Sequence, residues 1–267
     1  MIDDSTTLKR IHSIQLDILD KVERICKEND IPYYLIGGTL LGAVRHKGFI
    51  PWDDDLDIAI PRKDFNRFIE ICKTQLDNKY FLHWTSTDPE YWLPFAKIRK
   101  NGTIFEEKPI RNLDAHKGIF VDIFPLDNAN KQISFFQGMQ AKISKAIQCL
   151  ILKKRGLDIE LEFSKKMRFF ELLLSGFSIR RLASLRDCIM SLNKNDKSKY
   201  YINLASNYNH IKETFPKTKF DPPKKTEFEG NYYNAPNDWD YILRRIFNDY
   251  MELPPPDKRV GHNPVRI

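Results

Sequence analysis

The chain has 267 residues, of which 42% are hydrophobic and 30% charged, which excludes a disordered or fibrous chain and fits one large domain or two small ones. Its net charge of +7 favours acidic partners: nucleotide phosphates, nucleic acid or an anionic membrane surface. No apolar run approaches the roughly 18 to 20 residues that span a bilayer, and the acidic, polar opening MIDDSTTLKR does not read as a secretory signal.

Ile11, Ile14, Ile18, Val22 and Ile25 recur at helical spacing and predict an amphipathic helix over residues 5–29. IPYYLIGG reads as a strand ended by two glycines, TLLGAVRHKG as a short helix and DLDIAI as a second strand. PRKDFNRFIEICKTQL is a helix with Pro61 near its start, and YFLHWT a strand. Asn101-Gly102 between apolar runs predicts a hairpin over FAKIRKNGTIFEE. GIFVDIFPLD is a further buried strand. From about residue 131 the pattern turns helical: Phe135, Met139, Ile143, Ile147 and Ile151 fall every four residues. Pro222-Pro223 and Pro254-Pro255-Pro256 mark loops. Cys26, Cys72, Cys149 and Cys188 lie far apart with no Cys-x-x-Cys pair and read as reduced structural thiols of a cytoplasmic protein.

The stretch FIPWDDDLDIAIPRKDF gathers Asp53, Asp54, Asp55 and Asp57 before an apolar run. Carboxylates repel at close range and disfavour strands, so the cluster needs a reason. In an alternating strand Asp55 and Asp57 share a face, with Leu56 and Ile58 on the other. Two such carboxylates suit a hard divalent cation, and Mg²⁺ commonly bridges one or two carboxylates to substrate phosphates. Taken alone, the cluster reads equally well as a solvated acidic turn before a helix. Upstream, YYLIGGTLLGAVRHKG supplies a strand, two glycines, the Thr39 hydroxyl and a helix start, a unit that favours anions. A strand, glycine pair and helix followed about 18 residues later by Asp-x-Asp is the nucleotidyltransferase-fold order. The expected fold class is therefore α/β (α+β): a nucleotidyltransferase-like mixed sheet flanked by helices in residues 1–130, completed by a helical C-terminal half over 131–267.

LIGGTLLGAVRHKGFIPWDDDLDIAIPRKDF, at residues 35–65, resembles the signature of the LicD family. GIFVDIFPLD at 118–127 and the tail NDYMELPPPDKRVGHNPV resemble it too, so the likeness spans roughly residues 20–262. The tail departs from the family's frequent paired histidines, with His262 standing before Asn263. The resemblance implies a phosphotransferase that moves phosphocholine from CDP-choline onto a sugar of a surface glycan, teichoic acid or lipopolysaccharide in type, and releases CMP. Other CDP-linked alcohols, nucleotidyl transfer from a nucleoside triphosphate, and a non-enzymatic nucleotide-binding module are the rival readings.

Carried over residue by residue, Gly37, Gly38 and Thr39 match the glycine-hydroxyl turn set against donor phosphate. Asp55 and Asp57 match the catalytic pair that holds Mg²⁺ or Mn²⁺, and Asp122 stands where a third strand would return another carboxylate, either to the metal and the acceptor hydroxyl, which it would polarise as base or through the metal, or as a turn cap. Asp53 and Asp54 read as supporting groups that bond backbone. Arg45 contacts phosphate or pairs with the aspartate loop, and His46 is a loop hydrogen-bonding residue. Trp52 packs the loop, stacks on the cytosine or cradles the choline ammonium. Lys97 and Arg99, two apart on one strand face, either neutralise the diphosphate or form a solvated face, Lys97 being the substrate-binding candidate. His116 is a candidate for proton transfer at the acceptor. The expected partners are CDP-choline and a lipid-linked glycan acceptor, with no nucleic acid; in the rear half FFQGMQAKISKAIQCLILKKRGL and MRFFELLLSGFSIRRLASLRDCIM, at 135–157 and 167–190, read either as helices packing on the core or as a basic surface at the inner face of an anionic membrane.

Overall fold

Helix α1 (Ser5–Glu28) forms where Ile11, Ile18, Val22 and Ile25 recur on one face, and all four are fully buried. This computed structural model describes residues 5–107, 110–111, 113–130, 134–157, 172–261 and 264–267. After α1 come β1 (Tyr34–Leu35), α2 (Gly37–His46), β2 (Asp57–Pro61), α3 (Arg62–Gln75), β3 (Tyr80–His83), β4 (Ala96–Lys100) and β5 (Phe120–Ala129). The rear half contributes α4 (Phe135–Lys154), α5 (Ile179–Met190), β6 (Tyr200–Ile202), β7 (Thr214–Pro216), β8 (Lys224–Phe228), β9 (Asn231–Ala235) and α6 (Trp239–Phe247).

The main sheet runs β1-β2-β5-β4-β3, with β6 paired to the far end of β5 and β7 to β6. Among the described residues only the β2–β5 pair is parallel. β5 is the axis of the molecule because FVDIFPLDNA is apolar enough to be covered on both faces. Its odd residues Val121 and Ile123 face the layer of α1 and α3, and both are fully buried. Its even residues Phe120, Asp122, Phe124 and Leu126 line a cleft on the opposite face. Among the described residues no helix is long and apolar enough to cross a membrane.

Three expectations change. Asn101-Gly102 does turn the chain, with Gly102 at φ +74°, but the segment after it does not fold back on β4. β4 is already paired on both edges, by β3 and β5, so no edge is left for a local hairpin. The rear half is also not helical throughout: β6 and β7 extend the main sheet and β8 and β9 form their own hairpin. These strands are short, at three residues for β6 and β7, too brief to show an alternating pattern in the sequence. The stripe on α4 divides as well. Ile147 and Ile151 are buried in a second core with Trp92 and Leu182, whereas Phe135 is 79% exposed. The four cysteines are free thiols, Cys188 exposed and the others buried. His262, Asn263 and residues 158–171 of the rear half lie outside the described residues.

The two halves are tied by Arg62 at the start of α3. Its guanidinium grips Asp127 of β5 in two contacts, at 2.6 and 3.0 Å, and reaches Asp187 of α5 at 2.7 Å.

Candidate active site

The parallel pairing of β2 and β5 places Asp57 directly opposite Asp122. Strands in register lie about 4.8 Å apart, so residues 65 positions apart in sequence become neighbours. Asp53 and Asp55 precede β2 and open onto the same cleft as Asp57 and Asp122. β2 begins only at Asp57, so the shared facing of Asp55 and Asp57 continues beyond the strand itself. Asp54 is turned away: it is fully buried, its carbonyl accepts from Gln15 at 2.9 Å, and Gly261 packs over its carboxylate. His12 bonds the Asp53 carbonyl at 2.8 Å, so α1 fixes the aspartate loop from behind.

The glycine turn meets this loop face to face. Gly37, at φ +56°, opens α2, and a Cβ there would lie 3.2 Å from Asp57 Oδ2. A Cβ on Gly38 would lie 2.8 Å from Asp53 Oδ2, closer than such contacts occur. Both glycines line the cleft. Thr39 does not: it is buried, and its hydroxyl accepts the Asp57 backbone N–H at 2.8 Å. The hydroxyl therefore positions Asp57 and does not face the cleft.

Lys97 and Arg99 do share a face of β4, but both are 1% exposed, which removes the solvated reading. The Lys97 ammonium sits 2.9 and 3.1 Å from the two oxygens of Asp122, 3.6 Å from Glu107 and 3.3 Å from the centre of the Phe120 ring. Arg99 lies behind it, donating to His83 Nδ1 and the Gly118 carbonyl, each at 2.8 Å, and to Glu107 at 3.2 Å. Burial and then the Arg99 charge push His83 far below the ordinary histidine range, so its neutral ring accepts from Arg99 and donates to Asp88 at 2.8 Å. Lys97 thus supplies part of the compensation that Asp122 needs, a partner the apolar context of Asp122 did not reveal.

The charge balance stays negative. Enclosure and then Asp55, Asp122 and Asp53 raise Asp57 well above the ordinary carboxylate range, against the pull of Lys97. Burial raises Asp122 to about 6 although Lys97 opposes it. Among the described residues no three His, Cys, Asp or Glu side chains form a ready-made metal cage. The donor set still fits a hard divalent cation: all donors are oxygens, and Asp122 Oδ1 has an ion-pair neighbour but no well-formed hydrogen bond. A Mg²⁺ site that takes two or three carboxylates and completes itself with waters and substrate phosphate needs no closed cage.

The cleft has a volume of about 950 Å³, at the upper end for small-molecule sites. Trp52 stands in its wall with the Arg259 guanidinium 5.3 Å from its ring centre. Arg45 is also in the wall, but donates to the carbonyls of Tyr250 and Glu252 at 2.8 and 3.3 Å and so holds the tail segment over the cleft. His46 accepts from Arg45 Nε at 3.0 Å. His116 lies outside the cleft, stacked on Phe81 and bonded to Asn101, which leaves it no access to an acceptor. Glu107, Glu213, Tyr208 and the rings of Phe95, Phe124, Phe215 and Phe220 also line the cleft. Glu213 and Tyr208 carry no motif, since they arrive on the short β6–β7 unit.

A mixed sheet with a glycine turn facing paired strand aspartates defines a nucleotidyltransferase-type domain. Residues 30–149 match the family described as LicD/FKTN/FKRP, nucleotidyltransferase domain. The lipopolysaccharide cholinephosphotransferase LicD of Haemophilus influenzae is 30% identical over 96% of this chain and 96% of its own. An uncharacterised protein of Rickettsia prowazekii is 49% identical, with 43% of this chain and 52% of that protein aligned. This chain belongs to the LicD family.

Proposed function

We propose that this protein is a phosphocholine transferase: it moves phosphocholine from CDP-choline to a hydroxyl of a glycan acceptor and releases CMP. The observation that carries the reading is the β2–β5 register, which sets Asp57 beside Asp122 at a cleft also lined by Gly37 and Gly38. The likeness to a lipopolysaccharide cholinephosphotransferase over nearly the whole of both chains supports the choice of transferred group.

In this reading the Gly37-Gly38 backbone approaches the diphosphate, and the open start of α2 favours its charge. Asp55 and Asp57 would hold Mg²⁺ or Mn²⁺, with Asp122 beside them. When bound, the cation neutralises phosphate oxygens and stabilises the charge that develops in transfer. The acceptor oxygen bonds to the phosphorus that carries choline. The bond from that phosphorus to the bridging oxygen breaks, and its electron pair leaves with CMP. Asp122 takes the acceptor proton, since burial holds it near the range in which a carboxylate serves as a base at neutral pH. Lys97 holds Asp122 in place and offers its charge to the transferring phosphoryl group.

Incubation with CDP-choline, CDP-ribitol, CDP-glycerol and nucleoside triphosphates, each with Mg²⁺, tests the assignment. CMP release from CDP-choline is expected. Diphosphate release from a triphosphate, with CDP-choline inert, would replace this reading with ordinary nucleotidyl transfer.

A further inference from the structure

The lining of the cleft is of two chemical kinds. One is charged, the aspartates and Lys97. The other is apolar, the rings of Phe95, Phe124, Phe215 and Phe220 with Leu126, and the carboxylate Glu213 stands two positions before Phe215. Glu213 is 5% exposed. Its side chain accepts from the Ser206 hydroxyl at 2.8 Å, and among the described residues no Lys, Arg or His forms an ion pair with it. A buried carboxylate without a cation is costly, and most proteins pair it or replace it. Here it is held in a cleft, where a ligand can supply the missing charge.

We propose that Glu213 and the rings beside it, Phe215 and Phe124 foremost, form the seat for the quaternary ammonium of the donor. The inference rests on the phosphocholine reading and adds the residues that would distinguish choline from a neutral alcohol. A quaternary ammonium has no N–H, so it cannot use hydrogen-bond acceptors as a lysine would. It is recognised by aromatic faces and a diffuse negative field. Phe215 follows Glu213 by two positions at the start of β7, and both open onto the cleft. Phe124 follows Asp122 by two positions on β5, on the same side of the sheet, and stacks on Phe95 with ring centres 4.3 Å apart. β5 therefore presents a carboxylate for the phosphoryl end and, one pleat further, a ring for the ammonium end. Tyr208 lines the cleft as well, and burial, then the charges of Glu213, Asp57 and Asp53, raise its hydroxyl above the ordinary tyrosine range. That order suits phosphocholine, in which two carbons separate the phosphate ester oxygen from the nitrogen.

The test compares CDP-choline with its neutral isostere, the CDP ester of 3,3-dimethylbutanol, in which carbon replaces the charged nitrogen. The wild-type protein is expected to prefer CDP-choline in KM, and Glu213→Gln to lower kcat/KM for CDP-choline about tenfold more than for the isostere, or about 1.4 kcal/mol of discrimination. Calorimetric titration of the wild-type protein with phosphocholine and with 3,3-dimethylbutyl phosphate reads the same preference without relying on the variant. Equal affinity for the two phosphates overturns the seat. So does an equal loss of kcat on both donors in Glu213→Gln, which would make Glu213 a proton-transfer group. In both cases CDP-choline remains a substrate of the wild-type protein and the phosphocholine reading survives. If the wild-type protein turns over CDP-glycerol and not CDP-choline, both proposals fall together.

Discussion

Asp57 stands where backbone, charge and chemistry meet. Thr39 holds its N–H, Gly37 packs against its carboxylate, and Asp53, Asp55 and Asp122 open onto the same cleft. Like charges this close destabilise the empty site and are relieved by a bound cation. Asp57→Asn is therefore expected to abolish CMP release while raising the melting temperature in EDTA. The wild-type protein should gain stability on adding Mg²⁺, and the variant much less. Full transfer activity in the variant, or in the wild-type protein with excess EDTA, would exclude the cation from the mechanism. Glu213 makes a second prediction. Burial raises it from 4.5 to about 7, with Ser206 opposing weakly. An acid with a higher pKa in the folded chain keeps its proton longer there. Between about pH 4.5 and 7 the folded state binds more protons, so stability falls as pH rises through that window. The cost above it is on the order of 3 kcal/mol. Ligand-free Glu213→Gln should melt higher than the wild-type protein at pH 8 and converge with it near pH 5. Parallel melting curves across that range would contradict the assignment.

At the level of elements, the site depends on β2 and β5 staying in register, and the Arg62 cluster helps to hold them. Arg62 follows β2 directly, and Asp127 lies on β5 one residue beyond the last β2–β5 pair, so their contact fixes the end of that ladder. Asp187 brings α5 to the same point. Arg62 and Asp127 are nearly solvent-free, and burial lifts Asp127 to about 6 against the pull of Arg62. Removing one partner of a buried pair strands the other charge, at about 3 to 5 kcal/mol. Arg62→Met should lower the unfolding free energy by that order, read as a lower urea midpoint, and Arg62→Met with Asp127→Leu should recover part of the loss. If the single variant unfolds at the wild-type midpoint, the cluster does not brace the sheet.

The whole molecule is needed to build the cleft. Its floor comes from residues before 130, but Glu213, Phe215, Phe220 and the segment around Tyr250 arrive from the rear half. β6 covers the far end of β5, at Asp127, Asn128 and Ala129. A fragment of residues 1–130 would leave that edge and the apolar floor open to water. The full chain should unfold in one cooperative urea transition, whereas the fragment should aggregate or show a shallow, non-cooperative one. A fragment that folds cooperatively and binds CDP-choline as the full chain does would make the front half an independent domain.

Much of this was legible in the residues because it depends on local repetition. The α1 stripe, the Asp55-x-Asp57 alternation and the strand-glycine-helix order follow from periods of 3.6 and 2 and from the small φ restriction at Gly37. The placement of Asp122 beside Asp57 was expected from the family resemblance of GIFVDIFPLD, and an aspartate inside so apolar a segment needs a compensating partner. What no local pattern carries is the choice of partner across space. That Lys97 answers Asp122, that the Thr39 hydroxyl turns inward, and that Arg45 holds the tail were decided by packing. The same holds for Glu213: its own segment is an ordinary polar loop, and only the pairing of two three-residue strands brings it into the cleft. Sequence period determines which way a side chain points from its own element. Tertiary structure alone decides which charge it meets there, because pairing energy depends on distance and exclusion of water, neither of which is encoded locally.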